Sequence, residues 1–162
     1  MFHRFTLAGC LAAALALPAT AHDGSATHDK GDVSVSHVYT VAGSATAHAI
    51  EVFMTIENTG DDPVVLTGAE IDFAAPGLFH APTIGDDGTL AVRTVPAVEI
   101  AAGQILTMQP GGLRVVFNDV QQVLTAGDHF EAHLAFEGLG QLDIEVDVEA
   151  PTTGAGGDGD LG

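Results

Sequence analysis

The sequence is a series of short runs rich in Val, Ile, Thr and Phe, each ended by turn residues, and no helical apolar period extends over ten positions. Runs of this kind are typical of antiparallel β-sandwiches and barrels. Asp86-Asp87-Gly88 and Pro110-Gly111-Gly112 supply the backbone angles that tight reversals require. We therefore predict an all-β antiparallel sandwich, with strands at residues 33–39, 49–57, 64–71, 78–81, 90–95, 104–108, 113–118, 129–136 and 141–148.

The first residues have the pattern of a secretory signal peptide over 1–21, with Arg4 before an apolar stretch and Ala19-Thr20-Ala21 as a cleavage site. The apolar stretch is shorter than the roughly 20 residues that cross a bilayer, so we expect no membrane insertion after cleavage. Leu7-Ala8-Gly9-Cys10 resembles a lipoprotein processing box, which leaves a lipid on Cys10 as the alternative. Most of the apolar stretch follows Cys10, which favours ordinary cleavage before His22 and a mature chain without cysteine.

The mature chain is strongly acidic. Its 22 Asp and Glu residues are opposed only by Lys30, Arg93 and Arg114, which gives a net charge of −19 with neutral histidines. Such a chain is not expected to bind nucleic acid or anionic membranes. Its length suits one domain, so we predict a flexible His- and Gly-containing leader at 22–31, one domain at 32–150 and a flexible Gly-rich tail at 151–162.

Several segments resemble the PCuAC family of periplasmic copper chaperones in the same order along the chain. They are residues 53–60, residues 98–103 leading to Met108-Gln109-Pro110-Gly111-Gly112, and the strand from Gly127-Asp128 to Phe136. The resemblance covers about residues 31–148. It implies a cupredoxin-like, immunoglobulin-like sandwich in the periplasm, a domain of 32–150 that is PCuAC-like, and copper handling for an oxidase or reductase assembly protein.

The resemblance also implies where copper would bind. The family's site is a His, a Met about eleven positions on, and a His-x-Met about 22 positions later, which suits Cu(I) because thioethers and imidazoles are soft ligands. These positions fall on His80, Val92, Arg114 and Val116. Valine has no donor atom and arginine is a permanent cation, so three of the four family ligands are replaced. Copper binding would need ligands from elsewhere in this chain.

Other histidines are the candidate replacements. The α-amine and imidazole of a mature terminus at His22 could chelate one copper ion, with His28 or His37 closing the site, and such nitrogen ligands favour Cu(II). Strand alternation predicts that His37 lies on the face of Val33, Val35 and Tyr39. His37 is therefore as much a candidate for a hydrogen-bonded edge residue as for a metal ligand. His48 begins the next strand. The candidate metal ligands are His80, His22, His28, His37 and His48.

Two further histidines are interpreted as solvent-facing. His129 and His133 share a strand face with Glu131, but four strand residues separate the two histidines by roughly 13 Å, too far to chelate one ion from that strand alone. Met54 and Met108 are predicted to pack in the core. Asp158-Gly159-Asp160 lacks the further oxygen ligands of a calcium loop.

We favour a periplasmic copper-binding accessory protein that binds or delivers copper without catalysis. The alternative is a metal-free sandwich module that acts through protein contacts, in which Arg114 pairs with a carboxylate where copper would lie. An enzyme is not expected, because the sequence lacks a mature cysteine nucleophile, Gly-x-Ser-x-Gly, a phosphate loop and His-Glu-x-x-His.

Overall fold

The computed structural model describes residues 26–43 and 48–151. The predicted signal peptide, Cys10, His22 and the tail beyond residue 151 lie outside these residues. Within them, no helix is long and apolar enough to cross a bilayer. The strands are β1 (Thr27–Lys30), β2 (Val33–Val41), β3 (Ala49–Asn58), β4 (Val64–Glu70), β5 (Leu78–Ile84), β6 (Leu90–Val95), β7 (Val98–Ile100), β8 (Ile105–Thr107), β9 (Arg114–Asn118), β10 (His129–Phe136) and β11 (Gly140–Glu149).

The strands are hydrogen-bonded in the order β6-β5-β9-β3-β2-β11-β10-β4-β7, with β1 added to β2 and β8 added to β3. Among the described strands, the pairing of β11 with β2 is parallel, and the other pairings are antiparallel. The predicted all-β sandwich is confirmed, and each predicted strand is present. The one parallel pairing arises where the last residues of β11 return beside Tyr39–Val41.

Two short strands, β1 and β7, were not predicted. The expectation of a flexible leader is wrong for Thr27–Lys30, which pairs with β2 from Thr27 opposite Ser36 to Lys30 opposite Val33. Gly31 and Asp32 form the two-residue connection, and Gly31 has a φ of 58°, a value that favours glycine. Strand β1 is polar, so backbone pairing rather than an apolar pattern determines it.

The core is formed by the alternating apolar residues of the central strands. Phe117, Met54, Ile56 and Leu66 are among its largest fully buried side chains. Met54 and Met108 are both buried in it, as predicted. Burial of each large apolar side chain contributes about 1.5–3 kcal/mol to folding, so this domain does not need a metal for its core.

Asn58 is a fully buried polar residue at the end of β3. Its Nδ2 donates to the carbonyls of Asp62 at 2.8 Å and Ile100 at 3.1 Å, and its Oδ1 accepts from the Gly60 amide at 3.0 Å. These bonds join the turn after β3 to the end of β7. Asn58 therefore satisfies backbone groups that burial would otherwise leave without partners.

Strand β2 contains a bulge. Its register against β3 shifts between Ser36 and Tyr39, and His37 lies within the shift with a φ of 51°. His37 is exposed, whereas Val38 is buried. The prediction that His37 continues the face of Val33 and Val35 is wrong, because the bulge reverses the alternation.

Candidate functional site

Strands β5, β6 and β9 bring the four family copper positions to one face of the sheet. Directly opposite residues of an antiparallel pair project on the same side, as do alternate residues of one strand. His80, Val92, Arg114 and Val116 therefore share the outer face, opposite the core-facing Phe79, Val115 and Phe117. The cross-strand partners on this face are His80 with Arg114 and Thr94, Val92 with Pro82, and Val116 with Leu78 and Glu51.

Arg114 is held in this face by an ion pair. Its Nε donates to Glu51 Oε1 over 2.6 Å, and its Nη1 donates to the Gly112 carbonyl over 3.0 Å. The Arg114 side chain is 13% exposed. A short hydrogen bond between two charged groups is stronger than a hydrogen bond between two neutral groups. The predicted pairing of Arg114 with a carboxylate is confirmed, and its guanidinium lies where the sequence resemblance implies a ligand histidine.

His80 is half-buried beside this guanidinium. In the described part of the chain, its ring belongs to no group of three His, Cys, Asp or Glu residues whose ligand atoms converge. The far end of the β5–β6 hairpin is apolar on the same face: Ile84, opposite Leu90, is 72% exposed, Leu90 77% and Val92 52%. The residues directly opposite His80 are Arg114 and Thr94.

The other described candidate ligands lie on different elements. His28, in β1, accepts a hydrogen bond at Nε2 from the Glu145 amide over 3.2 Å. His37 lies in the β2 bulge, with its ring centroid 5.1 Å from that of Tyr39. His48 is exposed just before β3, and its carbonyl accepts from the Val120 amide at 3.1 Å. His28 thus already uses one ring nitrogen to attach β1 to β11.

Strands β10 and β11 carry a cluster that the sequence analysis missed. His133 and Asp143 lie directly opposite each other, and their Nδ1 and Oδ1 atoms are 2.8 Å apart. The Nε2 of His133 lies 3.8 Å from Glu131 Oε1. Gln141 Nε2 donates to Asp143 Oδ1 over 2.7 Å. Hydrogen bonds from Gln141 and then His133 hold the pKa of Asp143 below its ordinary value.

The missed signal is the pairing of two strands rather than a motif within one. Within β10 alone, His129 and His133 are too far apart to bind one ion. The acidic partners Asp143, Glu145 and Asp147 come from the adjacent strand. A register for the hairpin of β10 and β11 would have placed His133 opposite Asp143.

The chain matches one family model and several solved structures. Residues 33–148 match the model of the LpqE-like family, whose description is of a lipoprotein. No curated protein matches the sequence. The copper-bound PCuAC domain from PmoF2 is 24% identical, with a TM-score of 0.68, and the match covers 78% of this chain and 99% of that one.

Two further solved structures have the same fold. The apo PCuAC domain from PmoF1 is 24% identical, with a TM-score of 0.68, and the match covers 78% of this chain and 100% of that one. Apo-DR1885 from Deinococcus radiodurans is 23% identical, with a TM-score of 0.59, and the match covers 95% of this chain and 99% of that one. The likeness to PCuAC domains and the predicted cupredoxin-like sandwich are therefore confirmed at the level of the fold.

Proposed function

The chain belongs to the LpqE-like family, and from this membership and its fold we propose that it is a copper-binding accessory protein that acts outside the cytoplasm and catalyses no reaction. The observation that carries the proposal is the likeness of its domain to a PCuAC domain solved with copper bound. His80, which the sequence resemblance assigns to the first ligand position, lies opposite Arg114 on the outer sheet face. The family's lipoprotein description supports a location outside the cytoplasm. An exported protein of this kind would be periplasmic.

The proposed ligands are nitrogen atoms rather than thioethers. Met54 and Met108 are buried in the core, so neither presents sulfur at the outer face. The proposed set is His80 with one or more of His22, His28, His37 and His48. Imidazoles and an α-amine favour Cu(II) over Cu(I). Because Arg114 occupies the face beside His80, a copper ion at His80 would need a further ligand from outside β5, β6 and β9.

Delivery of the ion would follow from the small number of ligands. Copper held by only a few nitrogen atoms exchanges readily with a partner that offers a more complete site. The acidic surface favours the approach of a cation. We propose an oxidase or reductase assembly protein as the recipient, reached by ligand exchange.

A second function, a metal-free module that acts through protein contacts, is favoured by the ion pair of Arg114 with Glu51. The guanidinium and carboxylate satisfy each other without a metal. The exposed Ile84, Leu90 and Val92 of the same sheet face form an apolar surface of the type found at protein interfaces. In this alternative the outer face binds a protein and copper has no part.

Competition titration against Cu(I) and Cu(II) chelators tests the proposal, with the N-terminus of the purified protein checked by mass. Tight binding of one equivalent that weakens at least tenfold in His80→Ala or His22→Ala would support it. Thr94→Ala is the matched control, because Thr94 lies directly opposite His80 and offers no imidazole. Absence of binding in either oxidation state would leave the metal-free module.

A further inference from the structure

One face of the β10–β11 hairpin carries three consecutive pairs of ionisable residues. The pairs are His129 with Asp147, Glu131 with Glu145, and His133 with Asp143. The intervening residues of both strands are buried in the core, so all six side chains project from the outer face. Like charges directly opposite each other destabilise a sheet, and Glu131 opposite Glu145 is such a pair. A cation bound between these strands would relieve that repulsion.

The hydrogen bonds within the face prepare His133 as a metal ligand. An ionised carboxylate only accepts hydrogen bonds, so His133 donates Nδ1–H to Asp143, and Nε2 of the neutral ring keeps its lone pair. Metal-binding histidines generally donate their second ring nitrogen to a carboxylate in this way, which fixes the ring and its tautomer. Gln141 holds Asp143 in place through a bond of 2.7 Å.

The second ring nitrogen of His133 faces a carboxylate that can also bind a metal. His133 Nε2 and Glu131 Oε1 are 3.8 Å apart. Two ligands bound tetrahedrally to one zinc ion at about 2.0–2.1 Å lie roughly 3.3 Å apart, so a small rotation of the exposed Glu131 side chain would place both on one ion. One ligand atom from each of Glu131, His133 and Asp143 lies within 4.8 Å of the others.

This convergence is specific. The chain has 22 acidic residues and eight histidines, yet across residues 26–43 and 48–151 it gathers three ligand atoms at this place alone. An open cleft of about 460 Å³ adjoins the cluster, lined by Glu131 and Asp143 together with His28, His129 and Glu145. The cleft gives an ion access from solvent and adds imidazole and carboxylate groups at its rim.

We propose that Glu131 and His133 bind a divalent transition-metal ion. Asp143 positions His133, and Glu145 is a further carboxylate at the edge of the site. Mixed imidazole and carboxylate donors suit Zn²⁺ and Cu²⁺ and do not suit Cu(I). The site therefore goes beyond the proposed copper role, since it lies on β10 and β11 and does not use His80.

Zn²⁺ alone is the probe for this site, titrated against a competing chelator and followed by NMR of the full protein. The ring signals of His133 and the amide signals of Glu131 should shift together with one equivalent. We expect His133→Ala and Glu131→Gln to weaken Zn²⁺ binding at least tenfold. Asp143→Asn should weaken it about 10–100-fold, the usual cost of losing a residue that orients a metal ligand.

The controls separate this site from the proposed copper function. Glu137→Gln removes an exposed carboxylate just beyond β10, and His80→Ala removes an imidazole on another face; both should keep wild-type Zn²⁺ affinity. Equal Zn²⁺ affinity in the wild type and His133→Ala would overturn the site if the NMR spectrum of the metal-free variant shows the wild-type fold. Wild-type binding only at millimolar Zn²⁺ would overturn it as well. The Zn²⁺ result does not depend on the copper titration, because the copper titration tests His80 and His22, which are not part of this site.

Discussion

Arg114 Nε donates a 2.6 Å hydrogen bond to Glu51 Oε1 at the position where the PCuAC pattern has a ligand histidine. His80 lies directly opposite Arg114 in the adjacent strand, so the imidazole that remains from the pattern faces a guanidinium. This face carries an ion pair and two valines at positions where the sequence resemblance to PCuAC domains implies soft metal ligands.

Restoring the family ligands should create a Cu(I) site. In the triple variant Val92→Met, Arg114→His and Val116→Met, two thioethers and one imidazole would join His80 on the same sheet face. We expect the Cu(I) affinity to rise by at least a hundredfold over the wild type, measured by competition with a Cu(I) chelator. Val92→Met alone is the control and should gain little. A wild-type protein that already binds Cu(I) as tightly as the triple variant would refute this prediction.

Asn58→Ala should lower the free energy of unfolding by about 1–3 kcal/mol, because it removes the side-chain donor of the Ile100 and Asp62 carbonyls. Chemical denaturation measures this change. Gln121→Ala is the control, since Gln121 is exposed and its change is expected to stay within about 0.5 kcal/mol. Similar losses in both variants would show that the Asn58 hydrogen bonds contribute nothing special.

His28→Ala should loosen β1. The Nε2 of His28 accepts from the Glu145 amide, and its loss leaves this amide open to solvent. Hydrogen exchange followed by NMR should be faster at Glu145 and along Thr27–Lys30, while the β10–β11 pairing keeps its protection. His48→Ala is the control, because the substitution keeps the backbone carbonyl through which His48 accepts from the Val120 amide. Unchanged exchange at Glu145 would contradict the role of His28.

The turn between β5 and β6 gives a pH prediction. Asp87 accepts from the Thr89 hydroxyl at 2.6 Å and from the Thr89 amide at 3.0 Å, which lowers the Asp87 pKa from 3.8. A carboxyl whose pKa falls on folding stabilises the protein above its unfolded pKa, and this contribution is lost as the pH falls through the folded pKa. In Thr89→Ala, NMR titration should show the Asp87 pKa closer to 3.8; an unchanged value would contradict the assignment.

Much of the fold followed from apolar alternation, which placed each predicted strand. The core positions of Met54 and Met108 followed from the resemblance to PCuAC domains, which have apolar core residues there. The Gly31-Asp32 turn was readable as a two-residue hairpin, but Thr27–Lys30 has no apolar pattern to mark it as a strand. The bulge at His37 could not be predicted, since nothing in Ser36-His37-Val38 breaks a strand pattern. The Asp143–His133–Glu131 cluster depends on the register between two strands, which alternation within one strand does not reveal.

The melting temperature with and without Cu(II) tests the central claim most directly. At a Cu(II) concentration a hundred times its dissociation constant, binding to the folded protein adds about 2.7 kcal/mol of stability, a rise on the order of 10 °C for a domain of this size. We predict such a rise, reduced in His80→Ala or His22→Ala and retained in Thr94→Ala. A melting temperature that copper leaves unchanged would contradict the copper-binding role and favour the metal-free module.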